Sequence, residues 1–118
     1  MITSRLLMVL AGVVLHASAL AGIAAQVESI SEEYGNVNTT VTWEQVLELG
    51  LEPGSTFTIR FGDKTFQVTL GTTYGDVERG EWIGLITDTG ILRLARNFEN
   101  AAQTLGCEVG DTITISAD

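Results

Sequence analysis

Two neighbouring stretches of the chain alternate apolar and polar residues with a strict period of two. In residues 56–61, Phe57, Ile59 and Phe61 share one face while Thr58 and Arg60 share the other. After the turn Gly62-Asp63-Lys64, the residues Phe66, Val68 and Leu70 repeat the pattern. Alternation on both sides of a tight turn predicts a β-hairpin. Residues 81–87 differ, because Trp82, Ile83, Leu85 and Ile86 put apolar groups on both faces. That is the pattern of a strand in the middle of a sheet or barrel wall. Asp88-Thr89-Gly90 turns into a further strand over 91–95, and Gly110-Asp111 into a last one over 112–116, with Ile113 and Ile115 inward. Nearer the start, residues 27–31 (VESIS) read as a strand in which Val27 and Ile30 are not in step. Residues 32–36 then turn the chain, and 37–41 form a second extended segment.

Two short helices interrupt the strands. Residues 42–49 begin with Thr42 as N-cap and Gln45 three positions on, a capping box, and Val41 and Val46 are spaced to staple it. Val46, Leu47 and Leu49 supply its apolar side and Gly50 its stop. Asn97 is the expected N-cap of a second helix over 98–105, ended by Gly106. Some seven strands with two helical turns predict an all-β fold, a mainly antiparallel small barrel or sandwich with two short helices.

Charge narrows the set of partners. The 118 residues carry 15 acidic against 6 basic groups, a formal net charge of −9. An acidic surface repels phosphate backbones, so nucleic acid is not an expected partner, and anionic membrane surfaces are disfavoured for the same reason. Residues 1–25 read MITSRLLMVLAGVVLHASALAGIAA: one positive charge at Arg5, an apolar run, then small residues at Ala19-Leu20-Ala21. This is the layout of a secretory signal peptide, with cleavage after Ala21 or after Ala25. An uncleaved membrane anchor is the rival reading, since the apolar run is nearly long enough to span. The expected location is therefore secreted or periplasmic, with residues 26–118 as a single domain and no stable membrane insertion after cleavage. Export would remove His16, the sole histidine, and with it Ser-His or Cys-His catalysis and histidine-based zinc sites. Cys107 is the only cysteine and reads as a small apolar residue before the last strand, with an interchain disulfide as the alternative.

An ordered set of short motifs carries a family resemblance. Tyr34-Gly35-Asn36-Val37-Asn38-Thr39-Thr40 is followed by Tyr74-Gly75-Asp76-Val77-Glu78-Arg79-Gly80-Glu81, then by Asp88-Thr89-Gly90-Ile91-Leu92. Asn97-Phe98-Glu99-Asn100-Ala101-Ala102, Leu105-Gly106 and Gly110-Asp111 complete the series. Together they resemble the C-terminal domain of the S-adenosylmethionine hydroxide adenosyltransferase family, which includes the fluorinases and chlorinases. The resemblance implies a small β domain that helps hold the adenine of S-adenosylmethionine between subunits of a trimer. By the same resemblance Asn36, Tyr74, Arg96 and Asn97 occupy adenine-binding positions. The side chains suit that role: an amide pairs with a base edge, a ring packs on its face, and Arg adds donors.

The departures from the family pattern are equally specific. The family's N-terminal domain, which carries the ribose-binding aspartate and the pocket for the attacking water or halide, has no counterpart in this sequence. Asp88 stands where the family often has Ser, placing a negative charge near the expected methionine carboxylate, and Glu99 adds another close by. Each candidate also has a plain structural reading: Asn97 as a helix cap, Asn36 as a turn residue, Tyr74 as a core aromatic. Asp76, Glu81 and Asp88 read as solvated turn residues rather than paired catalytic acids, and Trp43 and Trp82 as core.

The sequence therefore predicts a non-catalytic module that binds an adenine nucleoside or S-adenosylmethionine, or serves in assembly, with no catalytic residues, metal or cofactor of its own. One alternative is half of an adenosine-forming S-adenosylmethionine hydrolase site, completed in trans by a separately encoded N-terminal domain. Another is a ligand-free interaction barrel. A trimer-like homo-oligomer is the assembly the resemblance implies.

Overall fold

A computed structural model of the chain describes residues 22–118, so the leader reading falls outside the described residues up to residue 21. The chain forms seven strands: β1 (Ile23–Ile30), β2 (Val37–Thr42), β3 (Thr56–Phe61), β4 (Lys64–Leu70), β5 (Trp82–Ile86), β6 (Ile91–Arg96) and β7 (Thr112–Ala117). They close into a barrel in the order β1-β2-β6-β5-β4-β3-β7. Closure gives every described strand a neighbour on each side. All pairings are antiparallel except β4 with β5, where Thr69 pairs with Ile83 and Leu70 with Gly84. Parallel neighbours need a crossover, and residues 71–81 supply it across the outside of the barrel.

The predicted hairpin is β3–β4, in register from Thr56↔Thr69 to Phe61↔Lys64. Its inward residues Phe57, Ile59, Val68 and Leu70 are buried with Leu92, Leu94, Ile113 and Ile115. The two-faced apolar pattern of β5 has a direct cause. Trp82 joins the barrel interior, while Ile83 and Leu85 pack outside with Ala95 beneath Val77 of the crossover. Trp82 also stacks with Phe66, ring centroids 4.9 Å apart.

Helix α1 (Trp43–Glu48) carries the expected capping box, with the Thr42 hydroxyl accepting from the Gln45 N–H and the Gln45 side chain accepting from the Thr42 N–H. Val41 and Val46 are both buried beside it. Leu47, expected on the apolar side, instead points outward at 50% exposure, because this short helix presents only Val46 inward while Trp43 and Leu49 pack on the core from its ends. The step between Val27 and Ile30 is a β-bulge, where the register shifts between Val27↔Thr39 and Ser29↔Asn38.

Two boundaries differ from the sequence reading. β1 begins at Ile23 rather than at residue 27, and Ile23, Ala24 and Ala25 pair with Ile115, Thr114 and Ile113 of β7. The second helix, α2, spans only Ala101–Leu105, and its N-cap is Asn100, whose side chain accepts from the Gln103 N–H. Asn97 caps nothing. Its backbone extends the β5–β6 ladder instead, with its N–H donating to the Glu81 carbonyl and its carbonyl accepting from the Gly80 N–H. Arg96 and Glu99 then bridge around a turn in which Phe98 takes a left-handed φ of 64°, a conformation that cannot belong to a right-handed helix. Lys64 seals the far end of α2 by donating to the Thr104 and Leu105 carbonyls.

Candidate functional site

The segments that the fold brings to one end of the barrel enclose an open cavity of about 760 Å³. The turn after β1 contributes Glu33, Tyr34 and Asn36, the crossover contributes Tyr74, and the end of β6 with the turn after it contributes Arg96 to Asn100. All four residues predicted from sequence line this one space, although they lie as far apart as Asn36 and Asn97 in the chain.

Asn36 is the deepest polar member, with 8% of its surface exposed. It is fixed by its neighbours in sequence: the Gly35 carbonyl accepts from the Ala102 N–H, and the Asn36 carbonyl accepts from the Ser31 N–H. Its side-chain Nδ2 donates to the Tyr74 hydroxyl at 2.9 Å. Tyr74 is 37% exposed and sits in a 3-10 turn, Tyr74–Asp76, so it is a wall of the cavity rather than a core aromatic. Asp76 builds that turn by accepting from the Thr72 and Thr73 N–H groups, at 2.8 and 3.2 Å. Those backbone donors, Thr72 foremost, hold the Asp76 carboxyl below its ordinary range. Asp76 is thus a local brace, in line with its plain reading.

Arg96 and Asn97 reach the cavity but spend much of their hydrogen-bonding capacity on the scaffold. Arg96 Nε donates to the Gly80 carbonyl at 2.8 Å and Nη1 to the Thr104 hydroxyl at 3.0 Å, and the guanidinium lies 5.9 Å from the Trp82 ring centroid. Asn97 Nδ2 donates to the Val77 carbonyl at 3.0 Å. These bonds pin the crossover to the β6 turn and so set the spacing between Tyr74 and the opposite wall.

The structure adds an aromatic that the sequence reading assigns to a helix. Phe98 is 74% exposed at the cavity rim, with the Arg79 guanidinium 4.5 Å from its ring centroid. Tyr34 stands at the same rim, 63% exposed. Phe98 stands on left-handed backbone, which sequence alone offers no way to see. Asp88, by contrast, is not near this cavity. It lies beyond the start of β6 and lines a second cavity with Glu28, Asn38 and Arg93, whereas Glu99 follows the far end of β6. The strand between them spans roughly 20 Å, so the two carboxylates do not act together at one ligand group.

The lining combines amides, a phenol, a guanidinium and exposed rings, with the carboxylates Glu33 and Glu99 at the edge. That arrangement can receive a planar heterocycle, its faces against rings and its edge against amides. Among the described residues no helix is long and apolar enough to cross a membrane.

Residues 25–114 match the family model of the SAM hydroxide adenosyltransferase C-terminal domain. The barrel is similar to the crystal structure of an uncharacterized conserved protein from Thermotoga maritima, at 29% identity and a TM-score of 0.74, over 78% of this chain. A conserved hypothetical protein from Thermus thermophilus shares the fold at 22% identity and a TM-score of 0.57, over 80% of this chain. This chain spans 35% of the length of each of those two. No curated relative matches it.

Proposed function

The chain belongs to the SAM hydroxide adenosyltransferase C-terminal domain family, and we propose that it is a non-catalytic module that binds an adenine nucleoside or S-adenosylmethionine, exported by the leader read in residues 1–25. The observation that carries the reading is the convergence of Asn36, Tyr74, Arg96 and Asn97 on one cavity of about 760 Å³, a volume suited to a small ligand. Amide and phenol groups at the base edge and rings at its faces are recognition chemistry. None of them is a nucleophile set beside a base. S-adenosylmethionine is the larger candidate, with the carboxylates Glu33 and Glu99 at the rim available to its ammonium group and unfavourable to its carboxylate.

A second reading has its own observation. The cavity is open on the side where Tyr34 and Phe98 stand exposed, and the solved relatives are longer chains. A separately encoded domain closing that side in trans would complete a hydrolase site.

Titration of the purified protein with adenosine and then S-adenosylmethionine, followed through backbone amide shifts, tests the binding reading. Shifts confined to Asn36, Tyr74 and residues 96–100 are expected. No shifts at millimolar ligand would remove both adenine-based readings and leave the barrel as an interaction scaffold.

A further inference from the structure

Lys64 is the only lysine of the chain and stands outside the cavity, at the first position of β4. Its ammonium donates to the Thr104 carbonyl at 3.2 Å and to the Leu105 carbonyl at 2.9 Å, the last two residues of α2. A helix of five residues has too few internal bonds to hold itself in place, so its ends decide where it sits. The first end is fixed by Asn100 as cap and by the Ala102 N–H, which donates to the Gly35 carbonyl. At the last end α2 has no basic residue of its own, and Lys64 supplies that charge from another strand. Thr104 is thereby gripped from two sides. Lys64 holds its carbonyl, while its hydroxyl donates to the Asn100 carbonyl at 2.8 Å and accepts from Arg96 Nη1 at 3.0 Å. Arg96 Nε donates to the Gly80 carbonyl. Two bonds on a planar group fix its plane. They leave Nη2, which donates to no described residue, as the end that Arg96 can offer to a ligand.

We propose that Lys64 is a positioning residue for Arg96: by holding the end of α2 it keeps the Thr104 hydroxyl where that hydroxyl aims the guanidinium into the cavity. The inference rests on the reading of this cavity as a ligand site. Without the ammonium, the Thr104 and Leu105 carbonyls turn to water, and the last turn of so short a helix frays. Thr104 then shifts relative to Arg96, and a guanidinium held only through Nε swings about that bond. The other ties across the cavity wall, Asn36 to Tyr74 and Asn97 to Val77, do not pass through the last turn of α2 and stay in place. The loss is therefore confined to Arg96 and is not a collapse of the site. Methionine at position 64 keeps the apolar stem and removes the donors, whereas arginine keeps both stem and donors.

The test compares the purified protein with Lys64→Met and Lys64→Arg, with thermal melts to establish that each is folded. The first readout is the NMR signal of the Arg96 Nε–H, assigned by its absence from Arg96→Met. It should shift and exchange faster with solvent in Lys64→Met and stay near its native position in Lys64→Arg. Thr104→Val, which removes the acceptor on Nη1, should move it the same way as Lys64→Met. The second readout is adenosine affinity by calorimetry. It should fall about fivefold in Lys64→Met, the factor for one lost hydrogen bond, and stay within about twofold of native in Lys64→Arg. In an Arg96→Met background, Lys64→Met should cost nothing further. An unmoved Arg96 signal, a Lys64→Met protein that does not fold, or an affinity loss that persists without Arg96 would each overturn the inference. If adenosine and S-adenosylmethionine both fail to bind, the nucleoside reading falls, and the Arg96 signal still decides this inference.

Discussion

Asn100 occupies the space that any side chain at residue 35 would need: a Cβ built on Gly35 would collide with the Asn100 carboxamide. Gly35 has a φ of +70°, so the absent side chain serves conformation and packing at once. The two residues couple the Asn36 turn to the cap of α2, since the Asn100 Oδ1 also accepts from Gln103. Gly35→Ala is expected to cost roughly 2–3 kcal/mol, from left-handed strain together with loss of the cap. Gly90→Ala is the control, because Gly90 has φ +80° but nothing within 4 Å of its would-be Cβ. It should cost only the strain, about 1–2 kcal/mol. Denaturant unfolding of both variants separates the two contributions. Equal losses would mean that the contact with Asn100 is immaterial.

Phe98 poses the converse case, a residue whose removal should leave the fold nearly untouched. Replacing it by Gly relieves left-handed strain of about 1–2 kcal/mol. Against that stand the stacked Arg79, worth about 0.5–1 kcal/mol at an exposed site, and the entropy of a new glycine, about 0.5–1 kcal/mol. The sum lies near zero, so Phe98→Gly should melt close to the native protein. Adenosine affinity should fall about fivefold, a modest share of one aromatic face. A stability loss above about 2 kcal/mol would instead make Phe98 a structural residue.

The contrast between these positions explains what sequence can and cannot reveal. Strand alternation exposes Phe57, Ile59, Val68 and Leu70 as the inner face, because burial on one face leaves a period of two in the sequence. The Thr42–Gln45 box marks the start of α1 by local chemistry alone. The β6 turn misleads because Asn97 and Asn100 are equally good caps on paper. The choice between them is tertiary: the Asn97 backbone is claimed by Gly80 and Glu81 at the entrance to β5. The parallel pairing of β4 with β5 leaves no mark in the sequence either, yet it is what requires the crossover that carries Tyr74 to Asn36. The four site residues are legible only through their family resemblance. Their convergence, the rim position of Phe98 and the distance of Asp88 from Glu99 need the three-dimensional path of the chain.

Acid should act on the site through Asp76. Its carboxyl is depressed below the ordinary aspartate range by the N–H groups of Thr72 and Thr73. A group with a lowered folded-state pKa stabilises the fold above its unfolded value, and that contribution is lost as pH falls through the folded value. The 3-10 turn should therefore stay intact down to about pH 4 and loosen below it. Because Tyr74 rides on that turn, its ring signals and those of Thr72 and Thr73 should shift together in an NMR pH titration. Asp76→Asn should lose this coupled transition. Asp118 is also depressed, through Thr58 and Gln67 at the β3–β4 hairpin, so its transition should appear there and not at Tyr74.

The start of β1 bears on where a leader could be removed. Ile23, Ala24 and Ala25 form the ladder that closes β1 on β7, and Ala25 is fully buried. A chain beginning at Gly22 keeps that seam, whereas one beginning at Gln26 keeps the pairing Gln26↔Thr112 and the Val27 backbone bonds to Gly110 and Asp111 but loses the other three ladder positions. Losing those ladder positions and a buried side chain removes several contributions of about 1 kcal/mol each, a large part of the 5–15 kcal/mol expected for a small domain. The protein starting at Gly22 should therefore fold cooperatively, and the protein starting at Gln26 should melt far lower or not fold. Of the two sequence-predicted cleavage points, only the one after Ala21 keeps the pairings of Ile23, Ala24 and Ala25 with β7. Mass spectrometry of the product secreted from a host expressing the full chain should then find Gly22 at its N-terminus. A mature chain starting at Gln26 that folds as stably as the longer one would show that the β1–β7 seam closes without those residues.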